Sequence, residues 1–170
     1  MARIWVRKYE PGWGSHIPVL VKVFEISQGP ILELGTGVFS TPILHTLCLS
    51  KDRQLVSYEN DPYYFERHGD FRTDKHQIIL VSNWDDIKIE NTFWNVALID
   101  HKPEERRKTE VKRLANNTKY IILHDSESRN EKLYKYSEIY PLFKYRFDYT
   151  ACYPHTTVLS NFVDLSDLKP

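Results

Sequence analysis

The sequence predicts an α/β fold with a mostly parallel sheet that helices cover on both faces. Short apolar runs alternate with helical patterns along most of the chain, as expected when strands are buried on both faces. The alternation ends in two segments rich in aromatic and β-branched residues, which predict an antiparallel hairpin at one edge of the sheet.

The first helical pattern precedes the first strand. A helix from about Ser15 to Ser27 is predicted by apolar residues at helical spacing, namely Ile17, Leu20, Val21 and Phe24. The apolar run Ile31 to Leu34 follows as strand one. The loop Gly35 to Phe39 leads into a second helix, for which Ser40 is the predicted N-cap residue.

The same alternation continues along the chain. Further strands are predicted at Gln54 to Tyr58, Gln77 to Val81, Val96 to Ile99 and Tyr120 to Leu123. Further helices are predicted up to His68, from near Pro103, and around Glu131 to Tyr140. The hairpin strands are Lys144 to Tyr153 and Thr157 to Leu165, joined through Pro154 and His155.

Length and charge narrow the classes of function. The 170 residues suit one domain, so we predict a single domain over residues 1–170. Lys plus Arg and Asp plus Glu both number 23, so no general positive field attracts phosphates, and nucleic acid is not the expected partner. The stretch Lys102 to Arg113, which includes Arg106 and Arg107, mixes both signs and is interpreted as a solvated helix face.

Cysteine usage and hydropathy indicate the compartment. Cys48 and Cys152 are far apart, which argues against a disulfide framework or a cysteine metal site. No stretch approaches the roughly 20 apolar residues of a membrane span. We therefore expect a soluble cytoplasmic protein without a membrane partner, and its many aromatic residues are compatible with a homodimer.

A glycine-rich loop between strand one and the second helix predicts a ligand site. Its sequence is Glu33-Leu34-Gly35-Thr36-Gly37-Val38-Phe39-Ser40. Two glycines allow a tight turn and a close backbone approach, and the next helix offers free N–H groups. Glu59 ends the second strand, where a carboxylate can accept hydrogen bonds from a ribose diol. Together these features predict a nucleoside site at the carboxyl ends of the strands.

The run Ile31 to Gly37 resembles motif I of class I S-adenosylmethionine-dependent methyltransferases, with an acidic residue two places before the first glycine. The resemblance implies a seven-stranded sheet in the order 3-2-1-4-5-7-6, with strand seven antiparallel. It also implies that the cofactor S-adenosylmethionine contacts the motif I loop and the ribose-binding acid. The residues so implicated are Glu33, Gly35, Thr36, Gly37, Ser40, Glu59 and Asn60.

The rival interpretation of this loop is a dinucleotide-binding domain. Its third glycine is replaced near Phe39 and Ser40, and the usual second mononucleotide half is missing. In the methyltransferase family the adenine lies just after strand three, which implicates Asn83 and Trp84. Trp84 would cover a purine face, and the alternative is that Trp84 is part of the core.

Acidic and histidine residues end strands four and five. Asp100-His101-Lys102 and His124-Asp125 lie at adjacent strand ends, so Asp100 and Asp125 are expected near each other and near the transferred methyl group. Two carboxylates can hold Mg²⁺, which would lower the pKa of an acceptor hydroxyl. The arrangement is similar to catechol-type O-methyltransferases, which implies that Asp100 and Asp125 bind the metal and Lys102 acts as base.

Two alternatives to this metal site remain open. In a metal-free scheme His101 or His124 is the general base. In the other, Asp100 caps a helix and His124 is a hydrogen-bonded histidine of the interior. The predicted function is methyl transfer to an oxygen of a small-molecule or protein acceptor. The alternatives are a cofactor-binding module that serves a partner protein and a different reaction of the same cofactor, such as its cleavage.

The N-terminal stretch up to residue 16 is a candidate lid or packing strap over the cofactor. It holds Trp5, Tyr9 and Trp13 ahead of the first helix, with glycines between the aromatic residues. His16 lies at the start of that helix, where free N–H groups attract anions. We expect His16 to contact the carboxylate of the cofactor.

Overall fold

The computed structural model describes residues 10–168, in which strands and helices alternate. The strands are β1 Ile31–Leu34, β2 Leu55–Glu59, β3 His76–Leu80, β4 Trp94–Ile99, β5 Thr118–His124, β6 Tyr145–Tyr149 and β7 Thr156–Ser160. The helices are α1 Ile17–Glu25, α2 Ser40–Ser50, α3 Pro62–Arg67, α4 Arg107–Leu114, α5 Glu131–Tyr134 and α6 Tyr136–Ile139.

Within residues 10–168 the strands form one sheet in the order β3-β2-β1-β4-β5-β7-β6. The pairs among β1 to β5 are parallel, and β7 is antiparallel to both β5 and β6. The predicted strand order and edge hairpin are therefore confirmed. The hairpin strands are shorter than predicted, because β6 stops at Tyr149 and the link to Thr156 contains Pro154, which has no N–H to donate to a ladder.

Hydrophobic residues are buried on both faces of the sheet. On one face, side chains of β1, β4 and β5 pack with α4 and with the aromatic residues Tyr134 and Tyr136. On the other face, α1 and α2 cover alternate residues of the same strands, including Ile31 and Val96. This explains the continuous apolar runs of the central strands, since neither face of those strands meets water.

Two helix predictions were partly wrong. The helix predicted around residues 131–140 is broken at Lys135, whose φ of 54° cannot continue a right-handed helix. Ser40 is the first residue of α2 rather than its N-cap residue, and Phe39 precedes it with a helical backbone. Thr41, the second residue of α2, instead ties the start of the helix to the preceding loop, because its Oγ1 accepts from the N–H of Gly37 at 2.9 Å.

No helix within residues 10–168 has both the length and the apolar content needed to cross a membrane. The parallel strands place their carboxyl ends at a common edge, so the loops after β1, β2, β4 and β5 meet there.

Candidate functional site

A cavity of about 720 Å³ opens at the carboxyl edge of the sheet. Its volume falls in the range of small-molecule sites, roughly 300–1,000 Å³. Its walls come from the loop after β1, the ends of β2, β4 and β5, and the segment before α1. Among the lining residues are Gly35, Ser40, Glu59, Asp100, His124 and His16.

The first turn of the loop after β1 requires glycine. Gly35 has φ of +90°, and a Cβ there would lie 2.6 Å from the Cα of His101. Its N–H donates to the carbonyl of Tyr58 at 2.8 Å, which fixes the loop against β2. The backbone of β1 therefore turns directly beside the end of β4, and the cavity opens above this contact.

Glu33 supports the loop from below. Its carboxylate is fully buried and accepts from Ser57 at 2.6 Å and from Thr41 at 3.0 and 3.1 Å. Because Thr41 also accepts from the N–H of Gly37, Glu33 stabilises the loop through Thr41. Glu33 is not among the residues that line the cavity. Burial raises the pKa of Glu33 to about 7, from an ordinary value of 4.5.

The raised pKa of Glu33 predicts a pH-dependent stability. The folded protein holds the proton more tightly than the unfolded chain, so the free energy of unfolding falls as pH rises from 4.5 to about 7. The loss is on the order of 3 kcal/mol and is constant above that interval. We expect urea unfolding at several pH values to show this loss in the wild type and not in Glu33→Gln. A difference between the two proteins that is the same at pH 5 and pH 8 would contradict the assignment.

Glu59 joins the ends of two neighbouring strands. Its Oε2 accepts from the N–H and the hydroxyl of Thr36 at 2.7 and 2.8 Å. Its Oε1 accepts from the N–H groups of Asn60 and Asp61 at 2.7 and 2.8 Å. The carboxylate thus ties the glycine loop to β2, and Glu59 and Asn60 both line the cavity.

Asp100 and Asp125 come close to each other, as expected, with an arginine between them. The Nη2 of Arg107 lies 2.9 Å from Oδ1 of Asp100, and its Nη1 lies 3.2 Å from Oδ2 of Asp125. Burial disfavours the charged form of Asp100, but the charge of Arg107 and a hydrogen bond from His124 outweigh it and hold the pKa of Asp100 well below its ordinary value.

The predicted magnesium position between Asp100 and Asp125 does not fit this arrangement. The guanidinium group of Arg107 already neutralises and bridges the two carboxylates. A hard cation at the same point would have to displace a side chain that is 6% exposed and that also donates to the carbonyl of His101.

The interpretation of Lys102 to Arg113 as a solvated face was wrong for Arg107, which is buried. The sequence did carry a signal for this position. Arg107 falls on the buried stripe of α4 with Glu110, Val111 and Leu114, at spacings of three, four and seven residues. An arginine on such a stripe needs buried acidic partners, and the ends of β4 and β5 supply them.

His124 links Asp100 to the segment before α1. Its Nδ1 lies 3.2 Å from Oδ2 of Asp100, and its Nε2 lies 2.9 Å from Oγ of Ser15. The Ser15 hydroxyl donates to the carbonyl of Pro154 at 2.7 Å, so its oxygen accepts from Nε2–H of His124. Burial opposes protonation of His124, but the bond to Asp100 and the two nearby carboxylates raise its pKa above the ordinary value.

His16 lies against His124 with a ring centroid separation of 4.6 Å. It is 2% exposed, and neither ring nitrogen has a hydrogen-bond partner among residues 10–168. Burial and the neighbouring His124 lower its pKa to about 4, so the ring is neutral at physiological pH. His16 lines the cavity, beside Asp100 and His124. The sequence predicted His16 at the cofactor carboxylate and did not predict its contact with His124.

The side chains of His101 and Lys102 differ in exposure, and both residues were candidates for a general base. The His101 ring is fully buried, and its Nε2 lies 3.2 Å from Oε2 of Glu110. Burial lowers the pKa of His101. The side chain of Lys102 is 79% exposed, and its Nζ lies 4.0 Å from Glu104 at the cavity rim. The ring of His101 is thus turned into the interior, away from the position expected of a general base.

Asn83 and Trp84 lie away from the cavity walls. Trp84 is 4% exposed, its Nε1 donates to the carbonyl of Lys102 at 2.9 Å, and its ring packs on His101 at 4.3 Å. Asn83 Oδ1 accepts from the N–H of Asp85 in a tight turn. The structure therefore places Trp84 in the core, and Tyr64 is the aromatic residue that lines the cavity after β2.

The predicted lid residues Trp5 and Tyr9 lie outside the described residues. Of the same segment, Trp13 and His16 line the cavity. A Cβ on Gly14 would lie 3.2 Å from the Phe39 ring, so this segment contacts the glycine loop closely.

Solved structures of low sequence identity share this fold. Human methyltransferase 10 domain containing protein is 10% identical with a TM-score of 0.60, over 92% of this chain and 86% of that one. An O-methyltransferase from Bacillus cereus in complex with SAH is 16% identical with a TM-score of 0.63, over 91% and 83%. The N-terminal domain of human METTL16 in complex with SAH is 11% identical with a TM-score of 0.58, over 87% and 68%.

No protein-family model matches the sequence, and no curated protein matches it. At these identities the structural likeness establishes the fold, and the predicted class I methyltransferase fold is confirmed.

Proposed function

We propose that this chain, which has the class I methyltransferase fold, transfers a methyl group from S-adenosylmethionine to an oxygen of a small-molecule acceptor. One observation carries the proposal. The glycine turn at Gly35 and the carboxylate of Glu59 meet at the wall of a 720 Å³ cavity that Asp100 and His124 also line. Two structural neighbours, the Bacillus cereus O-methyltransferase and human METTL16, were solved with SAH, the demethylated form of this cofactor.

The wall residues suggest how the cofactor lies. The loop Gly35 to Ser40 and the start of α2 would hold its amino acid part, and Glu59 with Asn60 would hold its ribose. Tyr64 and Pro62 follow along the same wall, and we assign Tyr64 rather than Trp84 to the adenine face. His16, which lies against His124 at the end of β5, would contact the acceptor rather than the carboxylate of the cofactor.

Glu59 already accepts four hydrogen bonds, which is the capacity of a carboxylate. A ribose diol must therefore replace at least one of them. The Thr36 hydroxyl can leave most readily, because it rotates about one bond while the three other donors are backbone N–H groups. Cofactor binding would thus loosen one side-chain contact and keep the loop anchored through its backbone.

The strand order separates the two ends of the reaction. From β2 across β1 and β4 to β5 there are three interstrand steps, which span roughly 14 Å. In the proposed arrangement the ribose would lie over β2, and the acceptor would lie over β4 and β5 beside Asp100, His124 and His16. S-adenosylmethionine, when bound, would supply the methyl group to the acceptor oxygen and leave as SAH with the carbon–sulfur electron pair on sulfur. Asp100, His124 and His16 would orient the acceptor hydroxyl and receive its proton.

Glu59→Gln is expected to weaken the binding of SAH by about 10- to 100-fold. A charged hydrogen-bond acceptor contributes about 1.5–3 kcal/mol, and glutamine offers one acceptor oxygen in place of two. Isothermal titration calorimetry with SAH measures the effect, and Glu66→Gln, an exposed glutamate on α3, is the matched control. Equal affinity of the two variants would exclude Glu59 from the cofactor site.

Turnover separates an enzyme from a binding module. Both bind the cofactor, but only the enzyme transfers labelled methyl from S-adenosylmethionine to a panel of small hydroxylated compounds. Formation of labelled product supports the proposal, and consumption of S-adenosylmethionine without an acceptor, to products other than SAH, would indicate cofactor cleavage instead. Failure of the wild-type chain to bind either S-adenosylmethionine or SAH would overturn the assignment. The balanced charge of the chain favours a small molecule or a protein over nucleic acid as the acceptor.

A further inference from the structure

Three side chains at the acceptor end of the cavity form a donor set for a metal ion. One ligand atom from each of His16, Asp100 and His124 lies within 4.8 Å of the other two. Two imidazole nitrogens and a carboxylate oxygen are ligands typical of first-row transition metals. We propose that these three residues bind a divalent transition-metal ion of the zinc type, with an open coordination position that faces the cavity.

His16 supplies an observation that is independent of the acidic residues. It is 2% exposed, and both of its ring nitrogens lack a partner within residues 10–168. A buried polar group without a hydrogen bond costs free energy, so native structures rarely contain one without a reason. Coordination of one ring nitrogen by an ion would remove that cost.

The hydrogen bonds of His124 fix a hydrogen on Nε2 and leave Nδ1 as the nitrogen that would bind a metal ion. Because the Ser15 hydroxyl donates to the carbonyl of Pro154, the Nε2 of His124 must carry the hydrogen that it shares with Ser15. Its Nδ1 is then the nitrogen that faces Oδ2 of Asp100, at 3.2 Å. Metal-ligating histidines ordinarily donate their second ring N–H in this manner, which orients the ring. The ion would take the place of the proton now shared between Nδ1 and Asp100.

Asp100 divides its two oxygens between two partners. Oδ1 pairs with Arg107 at 2.9 Å, whereas Oδ2 is hydrogen-bonded to Nδ1 of His124 and would coordinate the ion that replaces the shared proton. Donor atoms around a tetrahedral ion with bonds of about 2.1 Å lie roughly 3.4 Å apart. The pair Asp100 and His124 meets this separation already, and His16 needs a small rotation of its side chain.

The donor set discriminates between ions. Mg²⁺ prefers six oxygen ligands and retains its waters, so two imidazoles suit it poorly. Zn²⁺ binds imidazole strongly and accepts three protein ligands with one open position. The proposed site therefore differs from the magnesium site predicted between Asp100 and Asp125 in both its ligands and its ion.

Calorimetric titration of the full chain with Zn²⁺ tests the proposal. We expect the wild type to bind one Zn²⁺ ion per chain and to bind no Mg²⁺ at the same concentration. His16→Phe should bind Zn²⁺ at least about 100-fold more weakly, because the loss of an outer-shell partner alone lowers metal affinity by about 10- to 100-fold. His16→Phe keeps an aromatic ring in the same space, and His16→Gln is the second variant if the first is poorly folded by circular dichroism. His45→Gln removes an imidazole outside the cavity and should bind Zn²⁺ as the wild type does.

A crystal soaked in Zn²⁺ gives the direct result. An anomalous difference peak bonded to His16, Asp100 and His124 is expected. A peak at other side chains, or Zn²⁺ affinity that is equal in the wild type and both His16 variants, would overturn the proposal. Because SAH binding by the wild type is measured separately, a failure here is distinguishable from a failure of the proposed function.

Discussion

Replacement of Arg107 by methionine is expected to lower the free energy of unfolding by about 3 kcal/mol at neutral pH. The change removes a buried cation from between Asp100 and Asp125 and leaves two carboxylates without their partner. Loss of one member of a buried ion pair costs about 3–5 kcal/mol, and the lower end applies because both carboxylates are about a quarter exposed. Methionine retains most of the apolar volume, so the effect reports mainly the charge.

Lys108, the next residue on α4, provides the control for Arg107→Met. The side chain of Lys108 is 32% exposed and pairs with Glu138 at 3.5 Å. Exposed pairs contribute about 0–1 kcal/mol, so Lys108→Met should unfold at nearly the same urea concentration as the wild type. Equal stability of Arg107→Met and Lys108→Met would show that Arg107 does not neutralise the acidic pair.

Replacement of Gly35 by alanine is expected to abolish cofactor binding at accessible concentrations. The new Cβ would lie 2.6 Å from the Cα and 2.8 Å from the N of His101, and neither backbone atom can rotate away. A φ of +90° adds strain of about 1–3 kcal/mol for a residue with a side chain. The loop must move away from the end of β4, which disrupts the cavity wall. If this change costs about 3 kcal/mol of the free energy of SAH binding, the affinity for SAH falls by at least about 100-fold.

Gly69→Ala is the matched substitution. A Cβ at Gly69 would meet only the end of the flexible Arg72 side chain, at 3.2 Å. We expect its SAH affinity to equal that of the wild type and its stability to change by less than about 1 kcal/mol. Calorimetry and urea unfolding of both variants measure the contrast. Wild-type affinity in Gly35→Ala would mean that the turn beside β4 does not shape the cofactor site.

The order of the strands and helices and the glycine loop after β1 could be predicted from short stretches of sequence. Ile31, Leu32 and Leu34 are apolar because helices cover both faces of β1, and Gly35 is required by a local turn. Glu59 follows the second apolar run directly. Such signals depend on neighbours within a few residues, so hydrophobic periodicity and turn chemistry express them without knowledge of the tertiary structure.

The side-chain partners at the ends of β4 and β5 could not be predicted in this way. Trp84 follows β3 in a position suited to an adenine, yet its N–H reaches the carbonyl of Lys102 and places the ring in the core. His16 and His124 come together only because α1 packs on the sheet near the end of β5.

The sequence by itself determined the alternation of strands and helices, the antiparallel edge, the glycine turn and the acid at the end of β2, because each depends on local spacing. Only the tertiary structure decided that Arg107 separates the two predicted metal ligands and that His16 joins Asp100 and His124. These contacts depend on which side chains of distant elements are buried next to each other. A buried charge without a partner costs free energy, so the folded state pairs it with an opposite charge.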